Sequence, residues 1–269
     1  MKRAALETLM VAVLASAAVA QEGVRTARLG ASHGAAGGLS EATAALDRAA
    51  AARKFAFVFF WKDQNPQTGR AWSTLQTAAG RMSDWAEIVP VQASNPAEKA
   101  LVDRFGTSRA PMPLVLAVAP CGAVTKAFGA VFDEAQLRTA FVSPGTQLCL
   151  KALQDRKLVL LCVFDQAESA GTALPPGVRD FKADARFDAA SEVVLINAND
   201  DGEAGFLKEL KVDARAPKPF TVLLAPPGTV VGQFDNRASK DQLVAKLTAS
   251  QSDPCAGGAC GPGGCGPRR

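Results

Sequence analysis

Apolar and polar positions recur along this chain in the same order twice. Lys54 to Trp61 holds an almost unbroken apolar run rich in Phe and Val, and Leu158 to Phe164 is a second such run. Runs of this length without alternation mark strands buried on both faces. Ahead of the first, Ser40-Glu41 caps an alanine-rich stretch to Ala52 that predicts a helix. Beyond it, Trp72 to Trp85 has helical spacing, with Trp72, Leu75, Ala79 and Met82 on one side. Ile88–Gln92 predicts a strand and Pro96–Phe105 a helix opened by proline. Leu114–Val118 and Val124–Phe128 predict a hairpin around Ala119-Pro120-Cys121-Gly122, and Glu134–Phe141 a closing helix. The second half gives elements at Leu158–Phe164, Val193–Asn197, Phe206–Leu210, Phe220–Leu224, Val230–Phe234 and Asp241–Leu247.

The residues repeat as well as the pattern. Arg109-Ala110-Pro111-Met112-Pro113 returns as Arg215-Ala216-Pro217-Lys218-Pro219, and Glu87-Ile88-Val89 as Glu192-Val193-Val194. Arg53-Lys54-Phe55 matches Arg156-Lys157-Leu158. The mature chain therefore reads as two copies of one domain, 40–142 and 143–250. Alternation of doubly buried strands with helices gives an α/β class, each copy a mixed central sheet flanked by helices.

Composition narrows the function. In 269 residues, 48% are hydrophobic and 21% charged, which excludes a disordered or collagen-like chain. The net charge is only +4 and no Lys/Arg run stands out, so nucleic acid is not the expected partner. Met1-Lys2-Arg3, the apolar run Leu9–Val19 and Ala18-Val19-Ala20 form a signal peptide over residues 1–20. The run is too short for a stable membrane anchor. The mature protein is expected to be exported, periplasmic or extracellular, with a flexible linker at 21–39 that carries the lone His33.

The order of elements, with the proline-containing turn before each hairpin, resembles the thioredoxin fold twice over. The resemblance implies two tandem thioredoxin-like domains, with cis peptide bonds at Pro113 and Pro219 preceded by Met112 and Lys218. It also implies that an extended protein or peptide partner adds as a strand beside these turns; Trp61 and Trp72, near the place of the missing motif, then either supply apolar contact or belong to the core. Oxidoreductases of this family carry Cys-x-x-Cys just after the first core strand, where a helix N-terminus favours the thiolate. Here that place holds Lys62-Asp63-Gln64-Asn65-Pro66-Gln67-Thr68, and in the second copy Asp165-Gln166-Ala167-Glu168-Ser169. The chain is thus similar to the redox-inactive domains of protein disulfide isomerases, and no residue inherits a catalytic role.

The six cysteines lie elsewhere. Cys162 is mid-strand and Cys149 is on the helix opening the second copy, so both read as core residues. Cys121 is at a hairpin turn, expected exposed and able to pair with the tail. Cys255, Cys260 and Cys265 recur every five residues in a Gly/Pro-rich tail, 251–269, expected to be a flexible extension. Three thiolates with glycine between them suit Cu(I), or Zn²⁺ with a fourth ligand. Three readings follow, in this order: a non-catalytic polypeptide-binding protein, soft-metal handling through the tail, and a thiol-disulfide oxidoreductase using tail cysteines. The lack of Cys-x-x-Cys weighs against an enzyme.

Overall fold

The computed structural model describes residues 40–165, 174–211 and 219–252. The signal segment, the linker to 39 and the cysteine tail from 253 lie outside them. Two four-stranded mixed sheets are present, each flanked by helices. The first is built from β1 (Phe55–Trp61), β2 (Ala86–Gln92), β3 (Leu114–Val118) and β4 (Val124–Phe128), in the order β2-β1-β3-β4. The second is built from β5 (Leu158–Phe164), β6 (Ser191–Asn197), β7 (Phe220–Ala225) and β8 (Thr229–Asp235), in the order β6-β5-β7-β8. In each sheet the first two strands pair parallel and the remaining pairings are antiparallel.

β1 and β5 dictate the rest. All seven residues of β1 are buried, including Phe57, Phe59 and Phe60, and β5 is buried at every position but its first. Each such side chain contributes about 1.5–3 kcal/mol when fully removed from water. Both faces of the sheet must therefore be covered. On one face of the first sheet lie α1 (Glu41–Ala51) and α3 (Lys99–Arg104), the latter preceded by a 3₁₀ turn at Pro96–Glu98. α2 (Pro66–Gly80) and α4 (Glu134–Arg138) pack against each other. In the second sheet α5 (Pro144–Gln154) and α7 (Asp201–Glu209) cover one face, and α6 (Pro176–Lys182) and α8 (Lys240–Ser252) the other.

Several boundaries differ from the sequence expectation, each for a local reason. The helix expected at Trp72–Trp85 is α2, which starts earlier because Asn65 caps it, its Oδ1 accepting from the Thr68 N–H at 2.9 Å, with Pro66 behind it. Trp85 lies beyond that helix, 60% exposed, its ring edge-on to Phe141. The helix expected at Phe206–Leu210 starts at Asp201, after an Asp200 cap. The closing helix expected at Glu134–Phe141 ends at Arg138, and the one expected at Asp241–Leu247 runs on to Ser252. α6 follows a segment with no clear periodicity and was not anticipated.

The repeat extends to backbone detail. Arg53 and Arg156 both have left-handed φ, 56° and 61°, just beyond α1 and α5. At each, the next N–H reaches back to close the helix: Lys54 to the Ala49 carbonyl and Lys157 to the Ala152 carbonyl, both 2.9 Å. The copies diverge where those helices begin. Glu203 is almost fully buried, and its carboxylate accepts from the Gly145 N–H at 3.1 Å and the Thr146 hydroxyl at 2.9 Å. Glu98 holds the matching place in the first copy, equally buried, yet its Oε2 has no hydrogen-bond partner. The first copy has Ala42 where the second has Gly145. A Cβ at Gly145 would collide with Glu203 Oε1 and come within 3.0 Å of Ile196 Cγ1, so glycine is what lets this carboxylate close on the helix start. Gly145→Ala should therefore lower stability by about 1–3 kcal/mol, read as a shift of the urea midpoint. An unchanged midpoint would show that Glu203 can move aside at no cost.

Candidate functional site

The turn into β3 is the place to which both the repeat and the resemblance point. Gly106, in the left-handed region at φ 63°, leads into a 3₁₀ turn over Thr107–Arg109, which delivers the chain to Pro111-Met112-Pro113. The Met112–Pro113 bond is cis. Pro111 is exposed and Met112 half-buried, its side chain resting on the core between the sheet and α1; Pro113 is buried. The Met112 backbone takes part in no described hydrogen bond. In the second copy Pro219 is half-buried ahead of β7, while Lys218 lies outside the described residues. A second cis bond, Pro226–Pro227, is in the β7–β8 turn, where the first copy has Pro120-Cys121.

Trp61 does not serve as a surface contact. It is the last residue of β1 and only 3% exposed, packed into the core. A strand end is apolar either because it is covered or because it binds, and here it is covered. Trp72 is half-buried on α2 with its ring tilted against Phe59 at 5.2 Å, and its indole Nε1 is buried without a partner. Between β1 and α2 run Lys62, Asp63, Gln64 and Asn65, all exposed. None can form a thiolate, so this helix N-terminus offers no nucleophilic sulfur.

The described thiols are all free and unequal. Burial pushes the Cys149 thiol up to about 12, helped by the nearby Glu203 carboxylate, and pushes Cys162 up to about 11 against a partial offset from Thr221. Cys121 is half-buried in the β3–β4 turn, its S–H directed at the Gln147 carbonyl of α5, 3.6 Å away. Among the described residues no group of three or more His, Cys, Asp or Glu could hold a metal ion. Cys255, Cys260 and Cys265 lie outside them. No helix among the described residues is long and apolar enough to cross a membrane.

No protein-family model matches the chain. No curated protein matches it in sequence. Among solved structures, it is similar to the N-terminal domain of alkylhydroperoxide reductase AhpF from Enterococcus faecalis, at 12% identity, TM-score 0.27, over 76% of this chain and 98% of that one. The first two thioredoxin domains of Naumovozyma dairenensis Eps1p align at 10% identity, TM-score 0.29, over 75% and 94%. Human ERp44 form I aligns at 13% identity, TM-score 0.35, over 82% of this chain and 57% of its own. The fold assignment rests on the strands themselves: a parallel pair extended by an antiparallel hairpin, with helices on both faces, is the thioredoxin-like arrangement, and it occurs here twice.

Thiol chemistry of the folded chain can be tested directly. At pH 8 a thiol with pKa about 12 is roughly one part in ten thousand thiolate, and one with pKa about 11 roughly one in a thousand. A chain ending at Ser252, alkylated at pH 8 and weighed, should take up one label when native, at Cys121, and three in denaturant. Native labelling at Cys149 or Cys162 would mean that the second domain opens readily.

Proposed function

We infer that this is an exported, non-catalytic thioredoxin-like protein that holds an extended segment of a protein partner against the Met112–Pro113 turn. The observation that supports this most is the turn itself. Among the described residues no hydrogen bond engages the Met112 backbone, and the loop Lys62–Asn65, where the family's dithiol would stand, is exposed. Strand addition uses such a backbone for affinity and the neighbouring side chains for selectivity. With no cysteine in Lys62–Thr68, the turn is left with recognition rather than disulfide exchange. Export is supported by the basic start, the short apolar run and Ala18-Val19-Ala20.

The test uses reduced, carboxymethylated lactalbumin as an unfolded probe and maps amide shifts by NMR. Shifts should concentrate at residues 62–65 and 109–114, and Met112→Asp should weaken binding by about tenfold or more. Insulin disulfide reduction should stay at the uncatalysed rate. Turnover, or shifts confined to other parts of the molecule, would overturn the reading.

The five-residue cysteine period supports a second reading, soft-metal binding at Cys255, Cys260 and Cys265. The full chain should then bind about one Cu(I) with three thiolate ligands, and the chain ending at Ser252 should bind none at that affinity. Equal copper in both forms would remove this reading.

A further inference from the structure

The second domain contains a cavity of about 280 Å³, just below the usual size of small-ligand sites. Its walls include Pro144, Phe164, Leu195 and Ile196, and its polar side is formed by Asp200 and Glu203. The copies differ at positions that line it. The position of Phe164 holds the larger Trp61 in the first copy, and the position of Gly145 holds Ala42. α6 begins twelve residues after β5 ends, whereas α2 begins five residues after β1.

Charge and edge geometry indicate the occupant. The described lining has two carboxylates and no Lys or Arg. Glu203 faces the start of α5 and Asp200 caps α7, its Oδ1 accepting from the Gly202 N–H at 2.9 Å. Each helix N-terminus offsets roughly half an elementary charge, which leaves a net charge of about −1 at the mouth. Glu203 accepts one hydrogen bond at each oxygen from the protein, and carboxylate oxygens have capacity for more. Leu195, 52% exposed, lies on β6, an edge strand whose outer side no described strand pairs. A peptide added along that edge would place a side chain over the cavity.

We propose that this cavity receives a lysine or arginine side chain from an extended partner segment lying along β6. The aliphatic stem packs on Phe164, Leu195 and Ile196, and the cationic head meets Asp200 and Glu203. The proposal deepens the binding reading by adding a second, charge-selective contact, and it is separable from the Met112 turn.

The test uses capped pentapeptides, Val-Thr-Lys-Thr-Val and its counterparts with norleucine or glutamate at the centre, titrated into the full chain by calorimetry and NMR. The lysine peptide should bind about tenfold or more tighter than the norleucine peptide, weaken with salt, and shift the amides of Gly145, Leu195, Ile196 and Asn197. Phe164→Trp, which places the residue of the first copy here, should abolish that preference. Leu195→Lys, at an exposed position that leaves the core intact, should do the same and decides the matter if Phe164→Trp fails to fold. Equal or tighter binding of the norleucine or glutamate peptide overturns the proposal, as does no saturable binding or a shift map elsewhere. Loss of lactalbumin binding in Met112→Asp with the pentapeptide preference retained would separate the two sites. The pentapeptide preference failing while the Met112 site binds would sink this proposal alone.

Discussion

Everything in this molecule depends on two strands that have no solvent face. β1 and β5 are each seven residues of nearly unbroken apolar side chains, and each is central in its sheet. A strand of that kind cannot be stable at an edge or under a single layer of helices. It requires a neighbour on each side and a helix layer above and below. That requirement explains why α1 and α3 cover one face of the first sheet, and why α5 and α7 cover one face of the second while α6 and α8 cover the other. The sheet faces are used up by the same logic, which leaves the strand ends, the turns, the outer edges and the outer sides of the helices open to solvent.

The two copies keep this frame and differ in what they leave open. In the first, Trp61 ends the central strand and α2 starts close behind it. In the second, the smaller Phe164 lines a cavity, α6 starts later, and Gly145 lets Glu203 close on the start of α5. The matching Glu98 keeps a buried oxygen without a partner, which costs stability on general grounds.

Much of this frame was legible in the sequence, because it is carried by runs and repeats. The strands Leu114–Val118, Val124–Phe128 and Leu158–Phe164 begin and end where their patterns do. The Arg-Ala-Pro-x-Pro repeat marked the turn that the structure shows as Met112–Pro113. What failed to show was anything dependent on how distant elements meet. An apolar residue at a strand end reads identically whether covered or offered to a partner, so the sequence leaves Trp61 open as contact or core, and the structure buries it. Helix spacing alone put α2 too late, since the Asn65-Pro66 start weighs more than the aromatic positions that follow. The cavity is assembled from α5, β5, β6 and α7, and no single stretch of sequence displays it.

The edges of the sheets decide which surfaces a partner can reach. β4 is an edge strand of the first sheet, and part of it is already taken. The Gln154 side-chain amide, at the end of α5, accepts from the Val124 N–H at 2.9 Å and donates to the Val124 carbonyl at 2.7 Å, standing in for a neighbouring strand. Cys121 leans on the same helix through the Gln147 carbonyl, and Lys151 lies beside Gly122. This contact fastens the second copy to the first and blunts an edge that would otherwise invite unwanted pairing. In the second sheet β8 carries the equivalent Val230, which is 39% exposed, and α1 has Ala51 where α5 has Gln154. A second copy therefore cannot extend the array through the same amide contact. With β4 engaged at Val124 by the protein itself, the edges that no described strand pairs and no such amide bridges are β2, β6 and β8.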